Sequence, residues 1–182
     1  MSVPPCLLLE LTRRYTEPQR HYHGIGHIAD MLEQGRGLAL TAVQVLAIWF
    51  HDVVYDPTRD DNEEQSARLA LAWLPQQGFA VADAEAIAAI VRDTKGHVPT
   101  HALSPAVIDL DLASLAAPWP RFVANTEAIR REYAHVPDDA FVAGRKQFFT
   151  RMLERPQLYW TPFGAALEPN ARANLARSLR GG

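Results

Sequence analysis

Apolar residues recur at spacings of three and four along most of the chain, the period of one face of an α-helix. Leu7 to Tyr15 predicts a first short helix. HYHGIGHIADML sets His23, His27 and Met31 four residues apart on one predicted helical face, and Gly35 and Gly37 close that helix. Leu40 to Val54 is almost entirely apolar, with Val43, Leu46, Ala47, Phe50 and Val54 on one stripe. Apolar side chains lie on its other faces too, which predicts a helix buried all round. After the loop YDPTRDD, Asn62 to Leu74 predicts a further helix, with Asp61 as N-cap and Glu64 completing a capping-box pair. Val81 to Asp93 predicts another, with Ile87, Ile90 and Val91 facing inward. TKGHVPTHALSP reads as a loop of roughly a dozen residues, long for a compact domain. Ser104 caps a helix over Pro105 to Ala116, and helices over Arg121 to His135, Asp138 to Arg155 and Glu168 to Leu179 complete the set. No segment alternates as a strand does, so the expected class is all-α, a compact helical bundle.

Composition narrows the picture. With 182 residues, 48% of them hydrophobic, the chain can bury a core as one soluble domain over 1–182. Residues of about 20–116 carry the candidate chemistry, and the helices of about 118–180 are expected to pack on them. A net charge of -3 and the absence of a basic run argue against a nucleic-acid polymer as partner. Cys6 is the only cysteine, which excludes an internal disulfide and suits a reducing, cytoplasmic setting. MSVPPCLLLELTRR lacks the basic opening of a signal peptide, and no apolar run reaches the roughly 18 residues of a membrane span.

Polar groups interrupt the apolar pattern at one telling place. AIWFHDVVYD, residues 47–56, puts His51 and Asp52 side by side in a buried run, with Asp56 four residues on. An unpaired carboxylate there costs several kcal/mol, and a helix C-terminus further disfavours an anion. A buried hydrogen-bonded pair would offset this, and so would a metal. His27, beside apolar Ile28, Met31 and Leu32, and Asp111, in VIDLDLASLA, offer further ligands in similar surroundings. Two imidazoles and two carboxylates suit a divalent metal (Mn, Fe, Co, Ni, Mg or Zn) without choosing among them. Asp109 precedes Asp111 by two and points elsewhere on a helix, as a structural group.

His27, His51-Asp52 and Asp111 resemble the H…HD…D signature of the HD-domain metal-dependent phosphohydrolases. RYTEPQRHYHGIGHI, FHDVVYDPTRDDNEEQSA, DLDLASLA, REYAHVPDDAF, GRKQFFTRML and EPNARANL together look like a bacterial subgroup of predicted HD hydrolases, a likeness that spans nearly the whole chain. Gln19 departs from it, since histidine is common there in that subgroup. The resemblance implies a helical fold, a divalent metal, and hydrolysis of a phosphate ester on a small phosphorylated molecule, plausibly a nucleotide. His27, His51, Asp52 and Asp111 are then the metal ligands. Asp56, one turn past Asp52, is the candidate to orient or deprotonate the attacking water, with Asp52 beside it as the other catalytic carboxylate. In HD hydrolases of alarmone nucleotides a Glu-Asp pair stands where this chain has Tyr55-Asp56, which weakens a specific reading as alarmone hydrolysis.

Substrate contacts are expected from Lys95 and His97 in the long loop, and from His23, Glu63 and Arg145. Each has a plainer reading: a surface histidine, an ordinary loop, an acidic helix start, a solvated basic pair in GRKQFF. Two competing functions stay open. One is a non-catalytic nucleotide-binding or regulatory module that keeps the metal. The other is an HD-type di-iron oxygenase, whose extra ligands would come from His23, His97 or His101. Oligomeric state, a homodimer included, is open.

Overall fold

A computed structural model describes residues 3–181. Among them the chain is all-helical and contains no strand. The elements are α1 (Pro5–Tyr15), α2 (Ile25–Gly35), α3 (Ala42–Phe50), α4 (Asn62–Gln76), α5 (Val81–Gly96), α6 (Ser104–Leu112), a 3-10 turn (Ala113–Ala116), α7 (Trp119–Glu132), α8 (Asp138–Glu154) and α9 (Pro162–Leu179). No described helix is long and apolar enough to cross a membrane.

Two apolar clusters organise these helices. The first joins Leu7, Leu11 and Tyr15 of α1 to Ile28 and Met31, Leu46 to Phe50, Ala67 and Leu74, Ile87 to Val91, and Val107 and Leu110. It therefore takes in α1, which lies ahead of the region expected to carry the chemistry. The second joins Ile108, Leu112 and Leu115 to Phe122, Phe149, Met152, Tyr159 and Leu175. Helix α6 is the shared wall: Val107 and Leu110 face one cluster, Ile108 and Leu112 the other. Asp111 lies in the same turn, at the seam.

Several local expectations change. Helix α3 ends at Phe50, four residues short of Val54, and His51 is its C-cap. Val53 is nonetheless fully buried, in the turn that follows. The carbonyls left free at this helix end need donors. His51 Nδ1, the Tyr15 hydroxyl and Val53 N supply them at Ile48 O, Trp49 O and Phe50 O, and in the turn beyond the buried guanidinium of Arg20 donates to Asp52 O at 2.6 Å and Val53 O at 3.0 Å. His23 lies in the turn before α2 and so does not share its face with His27. The capping box forms on α3, between Thr41 and Gln44. Asp61 precedes α4 but makes no cap hydrogen bond; it pairs with Arg59 and Gln65, while Glu64 pairs with Arg68 and Arg92. Helix α5 runs on to Gly96, which shortens the long loop, and α9 begins at Pro162 rather than Glu168. Ser104 is the first residue of α6, and its hydroxyl donates to the buried carboxylate of Asp93.

Candidate metal centre

His51 sits at the end of α3 with helical backbone angles and is 1% exposed. Its Nδ1 lies 2.8 Å from Ile48 O. A carbonyl only accepts, so Nδ1 carries a proton and Nε2 faces inward. That Nε2 is 3.0 Å from Asp52 Oδ2 and 3.7 Å from Asp111 Oδ1. It is buried and makes no aligned hydrogen bond among the described residues. His27, on α2, places Nε2 3.1 Å from the same Asp111 Oδ1. Donor atoms of His27, His51 and Asp111 all lie within 4.8 Å of one another, a group that can hold a metal ion. Asp52 touches His51 but falls outside that mutual set.

Electrostatics agree with the geometry. Burial alone favours neutral His51, yet the Asp52 carboxylate and then Asp111 outweigh it and raise its pKa to about 9. Burial pushes Asp52 up, but the charge of His51 wins and holds it at about 2. For Asp111, burial is outweighed by hydrogen bonds from His27 and His97 and by the charge of His51, which keep the carboxyl well below its usual range. Two ionised carboxylates around one imidazole require a cation between them, either a proton or a metal.

Three neighbours shape the centre. Tyr22 stacks on His27 at 5.2 Å and shares a 2.6 Å hydrogen bond with Ser114. His97 ends α5 in the left-handed region, φ 51°, and puts Nε2 3.3 Å from Asp111 Oδ2. The third is a dyad. Glu132, 6% exposed at the end of α7, accepts the backbone N–H groups of His21, Tyr22 and His23 on Oε1. Its Oε2 lies 2.7 Å from His23 Nδ1 and accepts the Tyr55 hydroxyl at 3.1 Å. Burial pushes Glu132 up, but the hydrogen bond with His23 and the backbone donors bring it below the usual carboxylate range. Tyr55 also stacks on His23 at 4.3 Å.

The remaining expected residues scatter. The carboxylate of Asp56 accepts from Thr58 N at 2.9 Å and from its hydroxyl at 2.7 Å, an Asx-type turn. Asp56 lines a separate depression with Arg14, Glu17 and Gln19. The early end of α3 is the reason: Asp56 is not one helical turn past Asp52. Lys95 donates to Asp60 O, away from the cluster. Glu63, in the first turn of α4, makes no side-chain hydrogen bond among the described residues. His101 Nδ1 accepts from Leu103 N, a local turn contact. His23, His97, Asp111 and Arg145 do meet, around one cavity of about 470 Å³. Arg20, Tyr22 and Glu132 lie within the motifs quoted above but do not stand out there as site residues, because each works through a partner far along the chain.

No family model, curated protein or solved structure matches the chain.

Proposed function

We propose that this protein is a metal-dependent phosphohydrolase acting on a small phosphorylated molecule, with a divalent cation held by His27, His51 and Asp111 and joined by Asp52, whose carboxylate lies beside His51. The observation that carries the reading is the His51 Nε2 atom, buried, flanked by two carboxylates and without an aligned hydrogen bond among the described residues. Its other nitrogen is committed to Ile48 O, a hydrogen bond of the kind that fixes the ring orientation of metal-binding histidines. The likeness of His27, His51-Asp52 and Asp111 to the HD signature supports the reaction class. A divalent cation in such a site polarises a phosphoryl oxygen and makes water a better nucleophile.

The chain's own part lies around the cation. Asp111 receives His27 on one oxygen and His97 near the other, so both rings are fixed relative to it. His23 is the proton-handling group in this reading. Glu132 holds its Nδ1, which leaves Nε2 free to give a proton to a departing alkoxide. Asp56 is engaged with Thr58 and takes no part.

The test is a panel of phosphorylated metabolites assayed with Mn, Mg, Co and Ni, beside His51→Ala, with metal content measured per chain. One ion, metal-dependent hydrolysis and an inactive variant are expected. Full activity after chelation, or a metal-free wild type, would sink the proposal. The contact of His97 with the second oxygen of Asp111 favours one other reading, the di-iron oxygenase. Two ions per chain would support it.

A further inference from the structure

The cavity beside the centre is amphiphilic. Tyr22, His23, His97 and Asp111 line its polar end. Leu115, Phe122, Ile129, Phe141 and Phe148, from the segment after α6 and from α7 and α8, line the rest. Its volume of about 470 Å³ is that of a small-molecule site.

One charged group in this wall lacks a partner. Arg145, on α8, makes no ion pair and no hydrogen bond among the described residues, and its Nε is buried. Its guanidinium lies 4.5 Å from the ring centre of Phe149 and 5.3 Å from that of Phe148. Two other arginines of the C-terminal helices are fully engaged. Arg130 bonds Asp138, Tyr133 O and Val136 O, and Arg172 bonds Glu168, Leu153 O and Arg155 O. A half-buried guanidinium whose buried Nε has no acceptor is costly, and the aromatic rings only partly offset that. Its missing partner is an anion, best a planar or tetrahedral oxyanion that the fork can meet with two bonds. Arg145 is the only arginine or lysine in the wall, so the cavity matches one extra anionic group and not a polyphosphate chain.

We propose that this cavity is a second ligand subsite, which takes a compact apolar or aromatic body carrying one anionic group, a carboxylate or a phosphate, paired with Arg145. Calling the occupant a substrate rests on the phosphohydrolase reading; the subsite itself does not depend on the metal. The body packs on Phe122, Phe141 and Phe148, and any phosphoryl ester it bears on its other side points to Asp111 and His23.

Chelated protein separates the two questions. Calorimetric titration with 2-naphthoate, 2-naphthyl phosphate, neutral 2-naphthamide and acetate reads the subsite without the centre. Naphthoate or naphthyl phosphate is expected to bind about tenfold tighter than naphthamide, as one charge-assisted pair allows. Whichever of the two is tighter identifies the anion. Acetate, with no apolar body, should not register in the same range. Arg145→Gln should bring anion and amide within twofold, and His51→Ala should keep the preference. Equal binding of anion and amide to wild type, or a preference that survives Arg145→Gln, would overturn the proposal. Should Arg145→Gln not fold, phenylglyoxal labelling of the wild type decides: naphthoate protects Arg145 and naphthamide does not, whereas protection by both overturns the subsite. Loss of phosphatase activity across the panel with the preference intact would remove the hydrolase reading alone.

Discussion

Asp109 and Asp111 stand two residues apart on α6, yet the molecule treats them oppositely. Asp109 is fully buried and saturated by α9 and its approach. Its carboxylate accepts Trp160 N at 2.8 Å, Thr161 N at 2.8 Å and the Thr161 hydroxyl at 2.6 Å. A side chain at Gly164 would run into the same carboxylate, so the helix start is closed around it. Asp111 meets no backbone donor; its partners are the rings of His27 and His97, with His51 near. Burial wins at Asp109 and raises its pKa, whereas the histidines win at Asp111 and lower it. A buried acid closed by N–H donors is finished as structure. One faced only by imidazoles still asks for a cation.

Metal binding should separate the two sites most sharply. His51→Ala is expected to cut metal-dependent turnover by at least ~10²-fold, the cost of losing several kcal/mol of site chemistry. It should also abolish the rise in Tm on adding Mn, which for the wild type at a hundredfold excess over Kd is worth about 2.7 kcal/mol. Asp109→Ala should do the reverse. It strands three part-buried donors and so costs about 3 kcal/mol of stability. The metal-induced rise in Tm should survive in it undiminished. A variant of Asp109 that loses metal while folding normally would break the contrast.

Element type was legible in the sequence because helical periodicity is a local property. The site was legible only in part. His27, His51 and Asp111 stood out as ionisable groups among apolar neighbours, and the structure brings them together. The end of α3 was hidden, since buried turns and buried helices both use apolar residues, and Val53 is as buried as Phe50. The turn after that helix is held by Arg20, thirty-odd residues earlier, which no local window contains. Glu132 was hidden for the same reason. In AIRREYAHV it looks like one charge on a solvated face, yet it is buried under the His21–His23 turn.

Proton and metal should compete for the same place, which gives the contrast a pH dependence. Without metal, the two carboxylates raise folded His51 to a pKa of about 9, above the ordinary 6.5 of a histidine in an unfolded chain. Its protonated form therefore stabilises the fold fully below about pH 6.5, and that contribution is lost as pH rises through about 9. Denaturant titrations of chelated protein should show the midpoint falling across this window, and His51→Ala should flatten that fall. With Mn present the cation replaces the proton, and the fall should shrink. A flat profile for chelated wild type between pH 6.5 and 9 would count against a cation requirement at His51.

Tyr55 sets the smallest effect and the finest distinction. Its hydroxyl donates to Glu132 and its ring stacks on His23. The acid at this end of the site thus comes from α7, and Tyr55 steadies it. Glu132 keeps three backbone donors and His23 when that hydroxyl is removed. Tyr55→Phe should consequently cost only about 1.5 kcal/mol of stability, the low end for one neutral-donor bond to a charged acceptor. Turnover should fall a few-fold with KM little changed, because the variant loosens the orientation of His23 and leaves the metal ligands alone. Glu132→Gln goes further, since an amide cannot hold the His23 proton as a carboxylate does, and it should shift the acidic or basic limb of the pH–rate profile as well as lower kcat. If Tyr55→Phe and Glu132→Gln both left kcat and the pH profile unchanged, His23 would be a wall of the cavity rather than its proton donor.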